Sequence, residues 1–160
     1  QDSNTTRLMI HLLLKSNFKT KNWQGHTINP GELITSIKNL SKEDIPIEVA
    51  NLVDISTVTF MIDTEPSFPG GMSAFRKEFS QNFNTFALEK TDGGTLKTVM
   101  YYVVEVDGSI VYVKAIGENE SFNKEAERTL KSIKTKYAPA KVNNLVVRHI
   151  LRMPLSMNFK

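Results

Sequence analysis

No cysteine occurs among the 160 residues, which excludes thiol nucleophiles, disulfide staples and thiolate metal sites. That absence suits an oxidising envelope compartment as well as a reducing cytosol. Histidine is scarce: His11, His26 and His149 share no spacing that would gather metal ligands on one helix or turn. Long apolar runs are also missing. The longest nearly pure one, Leu8–Leu14, is interrupted by His11 and falls far short of the roughly 20 residues that cross a bilayer, so no transmembrane segment is expected. The ordered basic, apolar and small-residue regions of a signal peptide are absent. The chain starts at Gln1 rather than Met, so an envelope location requires an export signal or anchor removed before Gln1.

Apolar types make up 40% of the chain and charged types 23%, a balance that supports a folded core rather than a disordered tail. The length suffices for one ordinary domain or two small ones. Net charge is +3 and unevenly placed. Residues 1–60 are neutral, with six basic and six acidic side chains, whereas residues 61–160 hold fourteen against eleven. Lys131, Lys134, Lys136 and Lys141 cluster in that half. Nucleic acid can use such a patch, but a small excess is an ordinary solubility feature, and nucleic acid is not the favoured partner.

Hydrophobic periodicity divides the chain. Arg7–Phe18 reads as a short buried helix or a strand, and Leu33, Ile34, Ile37 and Leu40 place a short helix over Gly31–Lys42. Asp44–Ser56, with Pro46, reads as an extended connector. In Thr57–Asp63, Val58, Phe60 and Ile62 alternate as in a strand. Pro66, Pro69, Gly70 and Gly71 then stop it and turn the chain. Met72, Phe75, Phe79 and Phe83 recur at three or four residues, one apolar face of a helix. Leu96–Val106 and Ile110–Ile116 flank Asp107-Gly108, a strong hairpin signal; Ile110 and Tyr112 are placed on one face, Val111, Val113 and Ala115 on the other. Phe122, Ala126, Leu130, Ile133 and Tyr137 form a second helical face, with Asn119 or Ser121 as its cap and Ala138-Pro139 as its end. Leu145–Met153 reads as a final strand, with Val147, His149 and Leu151 on one side and Val146, Arg148, Ile150 and Arg152 on the other. Pro154 restricts pairing beyond it. The fold class expected is α+β: a small antiparallel sheet with two helices packed on one face, over residues 57–160. A smaller, mainly helical or mixed segment, residues 1–56, precedes it.

No constellation here carries catalysis. Glu125 and Glu127 point in different directions on a helix, and Glu105 and Asp107 share one strand face beside a turn. His149 reads as a satisfied core or sheet-surface residue. GxGxxG, GxxxxGK[ST] and GxSxG are absent. Gly70 and Gly71 read as a turn into the helix. No catalytic residue, metal site or cofactor is expected. Surface chemistry points instead to binding, because a small antiparallel sheet leaves an edge to which a peptide can add. Arg148 and Arg152 beside His149 are suited to hold an acidic or polar segment, or to protect the edge by charge.

Glu65-Pro66-Ser67-Phe68-Pro69-Gly70-Gly71 with Ala74, Phe75 and Asn82 resembles the opening of TonB C-terminal domains, in the form found in Bacteroidetes-like bacteria. Val103–Ile110 is similar to that family's valine-rich hairpin. Glu125-Ala126 with Lys131-Ser132 resembles its second helix, Tyr137-Ala138-Pro139-Ala140 its aromatic before proline, and Val146-Val147 with Pro154 and Phe159 its last strand. Two features depart from the pattern: Tyr137 stands where Trp is common, and Asn143-Asn144 replaces a glycine turn. The resemblance implies a non-enzymatic module of the periplasm or cell envelope, associated with transport. It would bind a peptide of an outer-membrane or periplasmic protein by β-strand addition along Leu145–Met153, using Leu145, Val147, Arg148, His149, Leu151 and Arg152.

Leu12–Asn17, Trp23, Gly25 and Pro30–Ser36 resemble the winged-helix start of phage-type replication initiators. That implies a DNA-associated regulator or replication-type protein using residues 7–42. No basic recognition helix follows Leu40, however, and the segment is neutral. Alternatively, Trp23 and the Leu8–Leu14 run would form a support or homodimer surface, or the segment would simply pack on the other domain.

Overall fold

A computed structural model describes residues 40–88 and 94–159 of the chain, together with the backbone of Thr27–Ile28. The phenylalanine stripe folds as expected. After Pro69 the chain turns through Gly70 and Gly71, with φ of 85° and 81°, where glycine avoids the Cβ clash of left-handed backbone. Helix α2 then runs Gly71–Asn82. It follows a one-turn helix α1, Ile47–Ala50, within the stretch expected to be an extended connector. Phe75 and Phe79 on α2 are fully buried and stack with ring centroids 6.0 Å apart.

Strands β2 (Gly94–Val104) and β3 (Ile110–Ile116) form the predicted hairpin. Gly108 N–H donates to Glu105 O, and Glu105 N–H to Ser109 O. Gly108 adopts φ 88°, the left-handed residue that follows a tight turn in three-residue hairpin loops. The expected alternation of β3 does not hold throughout. Tyr101 pairs with Lys114 and Val103 with Val111, so two steps on β2 face three on β3. The extra residue is Tyr112, at φ 55°, a bulge. It turns Val111 to one face of the sheet and Val113 and Ala115 to the other.

Helix α3, Glu120–Ser132, is capped by Asn119, whose Oδ1 accepts from Phe122 N–H at 2.9 Å. It ends at Ile133, earlier than the proline signal suggested. β4 (Ala140–Val142) and β5 (Leu145–Val147) form a separate two-stranded ribbon. Asn143 and Asn144 join them, at φ 52° and 67°, as in the two-residue turns that suit strand twist. The final strand β6 spans His149–Phe159 and pairs with β2 along its whole length. Sheet order is β1-β6-β2-β3, all antiparallel, with β1 being Thr27–Ile28.

Three expectations need correction. Thr57–Asp63 is not a strand: it follows a single 3-10 turn at Ile55–Thr57 and contributes Val58 to a core instead. The expected strand Leu145–Met153 is divided between two sheets, broken at Arg148. Pro154 does not end the last strand, which continues for five residues past it.

Each face of the main sheet has its own core. On one, Met100, Tyr102 and Val104 of β2 and Met153, Leu155 and Met157 of β6 pack against Phe75 and Phe79 of α2 and Phe122, Ala126 and Leu130 of α3. On the other, Tyr101, Val103 and Ile150 pack against Leu40, Val49, Val53 and Val58. The protein is therefore α+β with a small antiparallel sheet, and its second core joins residues on both sides of position 56.

Candidate functional site

The six residues expected to meet a partner do not share one edge. In an antiparallel ladder, successive residues aim their backbone N–H and C=O to opposite sides. Lys141 exchanges both of its backbone hydrogen bonds with Thr64, so it turns away from β5. Its register partner Val146 must then face outward, and Leu145 and Val147 face β4. Leu145 is 71% exposed, yet its backbone lies inside the ribbon, and β5 offers a partner strand only Val146.

The same reasoning orients β6. Glu105 N–H bonds to Ser109 O on the β3 side, so Val104, Tyr102 and Met100 aim at β6. Their partners are His149, Leu151 and Met153. Arg148, Ile150, Arg152, Pro154 and Ser156 aim away from β2, and Arg148 O does accept from Thr59 N–H at 2.9 Å. Pro154 is tolerated here because the N–H it lacks lies on the outer side. Among the described residues, this outer edge finds backbone partners at Thr59 beside Arg148 and at Thr27–Ile28 beside Asn158 and Met157.

The opposite edge, along β3, is obstructed. Tyr112 bulges it, and Ala115 N–H donates to Glu127 Oε2 at 2.8 Å. Bulges and side chains that occupy edge groups both hinder strand addition.

The two arginines have different surroundings. Arg148 Nε donates to Glu105 Oε1 at 2.8 Å, its guanidinium also reaches Thr57 Oγ1, and it lies over the Tyr112 ring, 5.6 Å from its centre. Arg152 Nε donates to the Tyr101 hydroxyl at 3.3 Å, and among the described residues no carboxylate pairs with it. His149 is buried, with Nδ1 2.8 Å from Thr59 O. Burial lowers its pKa below the usual histidine value, partly offset by that carbonyl. Leu151 packs on the helical core.

Beside the lower part of this edge lies an open cavity of about 880 Å³, lined among others by Lys97, Val99, Ile116, Glu118, Pro154 and Ser156. The chain matches no family model, no curated protein and no solved structure. Within this geometry Glu125, Glu127 and Asp107 have separate structural partners. Buried Glu125 pairs with Arg128 and accepts from Asn84 N–H at 2.7 Å, Glu127 holds Ala115, and Asp107 holds Ser109. Among the described residues no three acidic or histidine side chains are grouped as metal ligands, and no helix is long and apolar enough to cross a membrane. The replication-initiator resemblance and the dimer surface at Trp23 and Leu8–Leu14 fall almost wholly outside the described residues.

Sequence reading placed Arg148 and Arg152 correctly on one face but missed Ile150, Pro154 and Ser156 as outward-aimed edge residues. The signal was available. A proline inside a strand must turn its nitrogen outward, which sets the orientation of every second residue.

Proposed function

We propose that this chain is a non-enzymatic protein-binding module of the cell envelope, of the TonB C-terminal type. Its partner is an extended peptide of an outer-membrane or periplasmic protein, added as a strand to the outer edge of β6. One observation carries the reading: β6 aims the backbone of Ile150, Arg152, Pro154 and Ser156 away from β2, while the β3 edge is obstructed by Tyr112 and Glu127. Main-chain hydrogen bonds along such an edge supply affinity, and side chains of alternate residues supply selectivity. An antiparallel strand already sits on this edge at Met157 and Asn158, which supports the geometry of addition.

The TonB resemblance of residues 65–159 supplies the compartment and the class of partner. Selection of peptides from a displayed random library, followed by backbone amide shift mapping, tests the reading. Perturbations centred on residues 150–156 are expected. Binding that leaves those amides unmoved refutes strand addition.

A further inference from the structure

A strand added to an edge places its side chains directly beside those of its neighbour on the same face. The rows of residues running across the sheet therefore specify what a partner strand should carry. One row is Lys114, Tyr101 and Arg152; the next is Ile116, Val99 and Pro154. The first ends on a guanidinium whose described contact is the Tyr101 hydroxyl, with a second cation, Lys114, at its far end. Arg148, four residues away on the same face, is already engaged by Glu105. The second row is apolar throughout and forms part of the wall of the 880 Å³ cavity.

We infer that the outer edge of β6 selects an antiparallel peptide strand bearing a carboxylate across from Arg152 and an apolar side chain across from Pro154. The apolar side chain packs on the Pro154 ring, at the near end of the apolar row. Antiparallel order puts the apolar residue two positions before the acidic one. Pro154 forfeits one backbone bond to that strand and keeps its carbonyl as an acceptor, so the side-chain contacts fall where the main chain contributes least. Arg152 is thus a specificity-determining residue of the proposed edge, and the inference rests on the strand-addition reading.

The test uses blocked heptapeptides of threonine and valine with leucine two positions before glutamate, titrated into the full chain. A second peptide has glutamine for glutamate, and a third has alanine for leucine. Backbone amides of Ile150, Arg152 and Ser156 report the edge, and the ring protons of Pro154 report the apolar contact. The glutamine peptide is expected to bind roughly two- to fivefold more weakly, the range of a part-exposed ion pair. Arg152→Gln is expected to abolish that difference while the edge amides still respond. The alanine peptide is expected to lose the Pro154 ring shifts. If glutamate and glutamine peptides bind the wild-type chain equally, the selectivity is overturned although the edge still binds. If no peptide moves the edge amides, strand addition itself falls.

Discussion

Replacing Gly108 by alanine should destabilise the protein far more than the same change at Gly71, although both glycines have positive φ, 88° and 81°. At Gly71 a Cβ would meet nothing within 4 Å, so only the left-handed backbone penalty applies, about 1–2 kcal/mol. At Gly108 the same Cβ would lie 2.0 Å from Tyr137 O, a backbone atom that cannot rotate aside. Relief requires separating the hairpin loop from Tyr137, which breaks the Tyr137 N–H to Gly108 O bond of 2.9 Å. It also disturbs the buried Tyr102–Tyr137 hydroxyl pair at 2.8 Å. Two hydrogen bonds of about 1 kcal/mol each, added to the backbone penalty, give about 3–4 kcal/mol, a large share of the roughly 5–15 kcal/mol of a typical domain. Urea denaturation followed by tyrosine fluorescence and far-ultraviolet dichroism measures both variants, with free energies compared at a common slope. Equal losses at the two positions would refute the docking of the hairpin loop onto Tyr137.

Tyr137→Phe leaves the buried Tyr102 hydroxyl with only the Met153 sulfur at 3.9 Å and should cost about 1–2 kcal/mol in the same assay. Glu125→Gln should cost about 1–3 kcal/mol, because it weakens a buried acceptor that holds both Asn84 N–H and Arg128; Arg128 is half-exposed, which keeps the value below that of a fully buried pair. His149 has a folded pKa depressed by burial below the ordinary 6.5, so the unfolded chain binds the additional proton. Stability should be flat above the ordinary value and fall as pH drops below it, by up to about 1.4 kcal/mol per pH unit until the folded pKa is reached. His149→Gln should reduce that slope in denaturation curves taken between pH 7 and pH 5. Asn144→Gly, in a two-residue turn at φ 67°, should preserve the ribbon and raise stability by a few tenths of a kcal/mol.

The proposed strand addition would also carry a structural cost. Among the described residues the outer edge of β6 lies between Thr59 and β1, and Ile150 and Ser156 are buried within it, so the proposed partner strand would meet it at the part-exposed Arg152 and Pro154. That short stretch would make side-chain selectivity at Arg152 and Pro154 a larger part of the proposed recognition than it would be on a long open edge. Obstruction of β3 by Glu127 and Tyr112 leaves one side of the sheet protected from pairing between copies.

Local signals were sufficient for α2, α3 and the β2–β3 hairpin, because each depends on spacing within a dozen residues: the phenylalanine stripe, Asn119 before an amphipathic run, and Asp107-Gly108 between β formers. Side-chain alternation was also legible, including the shared face of Arg148 and Arg152. The tertiary structure decided what depends on a partner distant in sequence. Thr57–Asp63 alternates like a strand but among the described residues finds only isolated backbone bonds to Arg148 and Lys141, and without a continuous ladder it stays irregular. Leu145–Val147 folds back on Ala140–Val142 through Asn143-Asn144, which removes Leu145 and Val147 from the edge that their pattern suggested. The bulge at Tyr112 and the pairing of Arg148 with Glu105 likewise arise between strands. Periodicity records which way a side chain points; which backbone groups remain for a partner is set by the neighbours that have already taken the others.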